Sequence, residues 1–267
     1  MWPVELPAFV PFFVAALLAL VTRGYLRSVL MLSIVTLSGL HLWFIDGDVL
    51  VNMHFLEYEL TPYRVDSLSI VFGYVFHIAA FVSILFALHI KDTMQHVCGL
   101  LYAGSAMGAL FAGDLLTLFV FWEILAVSSV FLVWARRTER SFQSGLRYLI
   151  IQVGSGVILL GGLLLHVEQT GSLEFDFIGT DHLGGWLILL AFGIKGAFPL
   201  LHTWLTDAYP EATPTGTVFL SAFTTKTAIY TLARGYPGTE LLIYVGATMA
   251  CFPIFYAVIQ NDLRRVL

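Results

Sequence analysis

The chain has 267 residues, 58% of them hydrophobic and only 12% charged, against about 25% charged in soluble domains. A net charge of -5 with scattered Lys and Arg excludes a nucleic-acid surface. Cys98 and Cys251 stand far apart, within or beside apolar runs, which excludes a disulfide framework or zinc site and makes them ordinary buried thiols.

Such a composition has a bilayer as its natural solvent. Runs of about 20 mostly apolar residues, bounded by Gly, Pro and charge clusters, mark membrane spans. They predict an all-α membrane protein with nine transmembrane helices over residues 5–22, 28–45, 66–89, 95–113, 115–135, 143–166, 184–204, 213–234 and 240–260. The first is read as a retained helix, because Glu5 precedes its apolar stretch and the arginines follow it, the reverse of a signal peptide. Residues 46–65, with Asp46, Asp48, Glu57, Glu59 and Pro62, predict an extramembrane loop in the form of an extended hairpin. Gly104 and Gly108 have the GxxxG spacing, and Gly154, Gly156, Gly161 and Gly162 crowd the sixth span; all are read as helix-packing positions.

Alternating nine spans from an exterior N-terminus puts Arg23, Arg27, Lys91, Arg136, Arg137, Arg140, Arg147, Arg264 and Arg265 on the cytoplasmic side of the plasma membrane. Only Arg64 and Arg234 fall outside. Nine cations against two is a strong positive-inside bias, and it sets the C-terminus in the cytoplasm. Lys195 and Lys226 belong to neither side.

Those two lysines and Glu123 each interrupt an apolar span near its middle. A charge there costs on the order of 3 kcal/mol on insertion scales, so such residues usually face a bundle interior and mark an ion or proton pathway. At 1.5 Å per residue, Glu123 lies about 13 Å below Asp114, Lys195 at a similar depth, and Lys226 roughly 17 Å up from the opposite side, so the three share one layer. A lysine whose proton affinity depends on its distance from a carboxylate is able to load and release a proton as that distance changes. Pro199 has no N–H for the carbonyl of Lys195, which predicts a kink or break at the lysine, eased by Gly193 and Gly196. Broken helices at that depth often mark a transport site. His202, seven residues after Lys195 on the same helical face, is a candidate to extend the relay or a plain packed histidine. His77 reads as a hydrogen-bonded core residue, and Asp207 and Glu211 as a cytoplasmic gate or as solvated loop charges.

The strings GIKGAFPLLHTWLTDAYPEATPTGTVFLSAFTTKTAIYTLARGY, GDLLTLFVFWEILAVSSVFLVW and LRYLIIQVGSGVILLGG carry a resemblance. From about residue 100 onward the chain resembles the antiporter-like membrane subunits shared by Mrp-type multisubunit cation/proton antiporters and respiratory complex I, and it is most similar to the D subunits of the Mrp type. Residues 1–99 match the leading helices of that family in hydropathy. The resemblance implies leading helices over 1–94, a five-helix proton-translocating unit over 95–235, and, over 236–267, the first helix of a second, inverted unit before whose body the sequence stops. It implies that Glu123 and Lys195 form a coupled pair and that Lys226 passes the proton toward the next unit.

The function expected is therefore a membrane subunit exchanging protons for a monovalent cation, Na+, beside other membrane subunits, a transporter component and not a self-contained enzyme. One alternative is a proton-pumping subunit of an NADH:quinone oxidoreductase, and another is an inactive fragment with an assembly role. No Cys cluster, Rossmann glycines or Walker loop is present, so no cofactor and no metal is expected. No two spans carry histidine pairs near opposite leaflets, which excludes a haem carrier. Single cysteines introduced in intact cells should be labelled only from the cytoplasmic side at 136–141 and only from the exterior at 170–181. An exterior 136–141 loop overturns the arrangement.

Overall fold

Six helices begin at a side chain that takes up backbone N–H groups left open by the first turn, a need that grows where no water reaches. Asp66 accepts from Ser69, Asp92 from Met94, Asp114 from Thr117, Thr138 from Ser141, His182 from Gly185 and Thr213 from Gly216. The computed structural model describes residues 6–45, 48–55 and 58–266; Glu5, Asp46 and Glu57 lie outside the described residues.

The helices are α1 (Val10–Val21), α2 (Gly24–Trp43), α3 (Ser67–Ala87), α4 (Thr93–Phe111), α5 (Leu115–Trp134), α6 (Glu139–Thr170), α7 (Leu183–Lys195), α8 (Thr203–Ala208), α9 (Pro214–Gly235), α10 (Glu240–Ile259) and α11 (Leu263–Val266), with a 3-10 turn at Tyr209–Glu211. The architecture is an all-α membrane protein with one small sheet. By length and composition α2, α3, α5, α6 and α10 are able to cross a membrane, and α1 and α7 are shorter apolar helices. Every predicted span holds a helix, with one correction. The first begins at Val10, where Pro11 suits the first turn, and the described residues 6–9 ahead of it are not helical. The seventh span is broken where Pro199 predicts: α7 stops at Lys195 and the chain becomes helical again only at Thr203.

Between α2 and α3 the predicted hairpin is present as β1 (Val49–Phe55) and β2 (Tyr58–Val65), antiparallel from Val49 opposite Val65 to Phe55 opposite Tyr58, with a bulge between Val51 and Met53. Tyr63 and Val65 are buried against the bundle. Thr61 ties β2 down, donating its N–H to Asp114 at 2.9 Å and accepting from Gly113 N at 2.9 Å.

Helix α4 is the central post, packed on α1, α3, α5 and α9. Gly104 and Gly108 do serve packing, although not as one dimer face. A Cβ at Gly104 would meet Phe12 of α1, and one at Gly108 would run into the Phe121 ring of α5. Cys98 is buried as expected, but Cys251 is exposed on α10, a helix with no buried residue. His77 is the expected core histidine, with Nδ1 2.8 Å from Gly73 O and Nε2 3.0 Å from Ser38 Oγ.

At the end of the bundle that carries the hairpin, Arg234 from α9 grips Asp66 through two hydrogen bonds of 2.8 and 2.7 Å, and Arg64 pairs with Asp176 at 3.0 Å. Burial alone would raise the Asp66 carboxyl, but the Ser69 N–H and the Arg234 and Arg64 charges outweigh it and hold the group below its ordinary 3.8. A carboxyl depressed by folding contributes stability that is whole above 3.8 and fades as pH falls through its lower folded value. Asp66→Asn should therefore lower the thermal midpoint of the solubilised protein near neutral pH, and its gap from wild type should close on acidification through that window. A gap that persists into strong acid would mean that Asp66 acts through something other than its charge.

Candidate functional site

Lys195 is the last residue of α7, and its side chain is entirely enclosed (0% exposed). Pro199 leaves the helix no donor with which to continue, and the backbone turns away through Ala197 and Leu200, at φ 58 and 72. A left-handed conformation costs a residue with a Cβ about 1–3 kcal/mol, so it persists only where surrounding structure enforces it. Trp204 helps to do so, its indole N–H donating at 2.9 Å to the carbonyl of Ile194, which also accepts from Ala197 N at 3.2 Å.

The ammonium of Lys195 donates to Trp122 O of α5 at 3.0 Å and sits 4.2 Å from the centroid of the Trp122 ring. A cation over an indole face is favoured when water is excluded. The ring is held in turn by its own N–H, which donates to Ser155 Oγ of α6 at 3.0 Å. Glu123, the next residue along α5, projects toward α6, where its carboxylate lies against Gly156 so closely that a Cβ there would overlap it. Its Oε1 is buried without a hydrogen-bond partner among the described residues. The carboxylate and the ammonium form no direct ion pair, yet each is the charged group that acts on the other. An unmet buried polar atom costs about 1–3 kcal/mol.

The other predicted residues lie elsewhere. Lys226 is exposed on the outer face of α9, with its Nζ folded back onto Ser221 O at 2.6 Å. The expectation that it faces the interior beside Glu123 and Lys195 is corrected: the inward face of α9 includes Phe223, Thr224, Thr227, Ala228 and Thr231, all fully buried. The depth estimate fixed a level along the helix but not a direction around it. His202 does not share a helical face with Lys195, since seven-residue spacing carries that meaning only in an unbroken helix. Its ring stands 5.5 Å from Phe252 of α10, and its Nδ1 is buried without a partner among the described residues.

Asp207 and Glu211 are neither free nor simply solvated. Arg147 bonds Asp207 at 2.8 Å, and Arg136 and Arg140 hold Glu211 at 3.1 and 2.9 Å. The Arg147 hydrogen bond holds the Asp207 carboxyl below the usual range. Trp122, Ser155, Trp204 and Gln152, a fully enclosed amide on α6, carry no sequence reading of their own, and Gly156 carries one only as a packing position. A Gln inside the apolar run LIIQVGSGVILL was the signal available for one of them.

A bundle of apolar helices around an enclosed lysine, with a carboxylate in electrostatic reach and a helix broken beneath it, defines an antiporter-like membrane subunit. Residues 112–267, more than half of the chain, match the family described as NADH:quinone oxidoreductase/Mrp antiporter, TM, and the chain belongs to that family. It is 28% identical over 180 residues to the D subunit of the Na(+)/H(+) antiporter of Alkalihalophilus pseudofirmus, a match covering 60% of this chain and 36% of that one. Hydrogenase-4 component B of Escherichia coli is 30% identical over 166 residues, or 55% and 25% of the two chains. The fold is found in the Mrp complex from Dietzia sp. DQ12-45-1b with a TM-score of 0.87 at 24% identity, over 97% of this chain and 32% of that one. It is found also in respiratory complex I from Thermus thermophilus with a TM-score of 0.81 at 22% identity, over 97% and 59%. The chain thus spans between 25% and 36% of the length of these two curated relatives.

Gly→Ala inside a helix ordinarily stabilises by about 1 kcal/mol. Gly154, where a Cβ meets open space, should follow that rule, and its alanine variant should melt higher than wild type. Gly156→Ala drives a methyl into the Glu123 carboxylate and should melt lower. Equal midpoints for the two variants would remove Gly156 from the site.

Proposed function

We propose that the chain is a proton-translocating subunit of a monovalent cation (Na+)/proton antiporter complex in the plasma membrane, with its N-terminus outside. The proton-transfer unit is the segment 95–235, and residues 236–267 open a second unit. Glu123 and Lys195 are its coupled pair, Lys226 hands the proton on toward a neighbouring unit, and His202 is a candidate to extend the relay on the cytoplasmic side. The observation that carries the reading is the Lys195 ammonium, wholly enclosed at a helix break and resting on the carbonyl of Trp122, the neighbour of Glu123. A buried lysine with one carboxylate in reach and spare donors suits a group that gains and loses its proton in step with its neighbour's movement. The outward Lys226 suits a group that serves the next unit rather than its own pair.

A second reading has support of the same kind: NAD(P)H-quinone oxidoreductase chain 5 of Picosynechococcus is 28% identical over 193 residues, 62% of this chain and 29% of that one. Under it the same pair moves protons within a pump powered by electron transfer elsewhere in the complex. Copurifying partners separate the two, since small antiporter subunits favour the first and iron-sulfur subunits the second.

The pair is tested in the assembled complex, with cation-dependent proton flux measured in vesicles and assembly followed by blotting. Glu123→Ala and Lys195→Ala should each assemble and each lose flux by roughly tenfold or more, and the double variant should be no worse than either, as expected of residues acting as one unit. A purely structural pair predicts the opposite: single variants that misassemble and a double variant that recovers. Substantial flux in the double variant would sink the relay.

A further inference from the structure

Gln152 is 0% exposed, and neither its Oε1 nor its Nε2 has a hydrogen-bond partner among the described residues. It lies on the inner face of α6, one turn before Gly156, on which the Glu123 carboxylate rests, and one turn after Tyr148, whose hydroxyl pairs with Ser129 at 2.8 Å. The register of α5 against α6 is fixed by Trp122 with Ser155 and by Ser129 with Tyr148, and it sets Gln152 at the level of Leu125 and Ala126, both fully buried and both apolar, which offer the amide nothing to bond. Ala126 closes the helical turn that begins at Trp122 O, the acceptor of Lys195. The amide therefore stands within about one helical turn of the Trp122 carbonyl that holds the Lys195 ammonium and of Gly156, where the unmet Glu123 oxygen rests.

The chemistry of the amide selects its ligand. A metal cation would satisfy Oε1 and be repelled by the NH2 group, and an apolar group would satisfy neither. Water both donates and accepts, and it is retained inside a protein where two to four polar partners converge. Glu123 Oε1, the spare Lys195 donors and both ends of the Gln152 amide provide them. Beyond Tyr148 further buried hydroxyls follow: Tyr102, bonded to Thr224, and Tyr209, two residues before Glu211 in the chain, which donates to Leu220 O at 2.8 Å.

We propose that Gln152 is a positioning residue that holds ordered water between the Glu123–Lys195 pair and the Tyr148–Ser129 hydroxyls, the step by which protons arriving from the Glu211 side reach Lys195. This rests on the proton-transfer reading of the pair. Gln152→Leu keeps the bulk and removes the hydrogen bonding, whereas Gln152→Asn keeps an amide and leaves room for one more water.

In vesicles of the assembled complex, Gln152→Leu should lose proton flux by roughly tenfold or more, the scale of a lost proton-transfer step, while Gln152→Asn recovers most of it. Electron cryomicroscopy of the wild-type complex should show water density about 3 Å from the amide, absent in Gln152→Leu. Wild-type flux in Gln152→Leu, or a wild-type map in which the amide bonds protein groups alone, overturns the proposal; the map decides even where the leucine variant fails to assemble. Glu123→Ala and Lys195→Ala run in parallel keep the two ideas apart. If those variants are silent while Gln152→Leu is normal, only the Gln152 step falls, and if those variants retain flux, the proton-transfer reading falls with it.

Discussion

Pro199 cannot supply the hydrogen bond that would carry α7 past Lys195, and the site depends on that missing donor. An unbroken helix would have continued the seventh span to residue 204 and brought His202 under Lys195. Instead the helix ends at the lysine, the backbone folds through two left-handed residues, and Trp204 returns to cap the opened end. The ammonium comes to rest on the Trp122 carbonyl and indole, inside the bundle and off the surface. Irregular backbone at this depth is tolerated only where protein encloses it, and the enclosure is what gives the carboxylate next to Trp122 its influence.

Small residues make the enclosure possible. Lipid gives helices little reason to associate beyond close contact, so backbones must approach one another wherever a bulky group needs room on a neighbour. On α4 this serves packing, where Gly108 receives the Phe121 ring. On α6 it serves a charged group, where Gly156 receives the Glu123 carboxylate. The interior is therefore shaped by where side chains are absent as much as by where they are present.

Much of the fold was legible because hydropathy is a local signal: the apolar runs mark the helices, and residues 46–65 read as an extramembrane hairpin from their charges and Pro62. Glu123 and Lys195 were legible because a charge within an apolar span has few explanations. The orientation of Lys226 was not, since large apolar residues and threonines are interleaved on the buried face of α9, and their order along the chain does not mark which side is enclosed. Gly156 was read as packing because a glycine carries no mark of what it makes room for. The Trp204 cap and the His202 placement follow from the path of a broken helix, which spacing along the sequence does not encode.

The Lys226 side chain returns along its own helix to Ser221. Exchanging that carbonyl for another acceptor requires only rotation about the side-chain torsions, a motion of picoseconds to nanoseconds at an exposed position. Lys195 has no such freedom, because every neighbour that holds it belongs to a packed helix or to the strained segment beneath it. The two lysines therefore run on different clocks, one set by a swinging arm and the other by the breathing of the bundle.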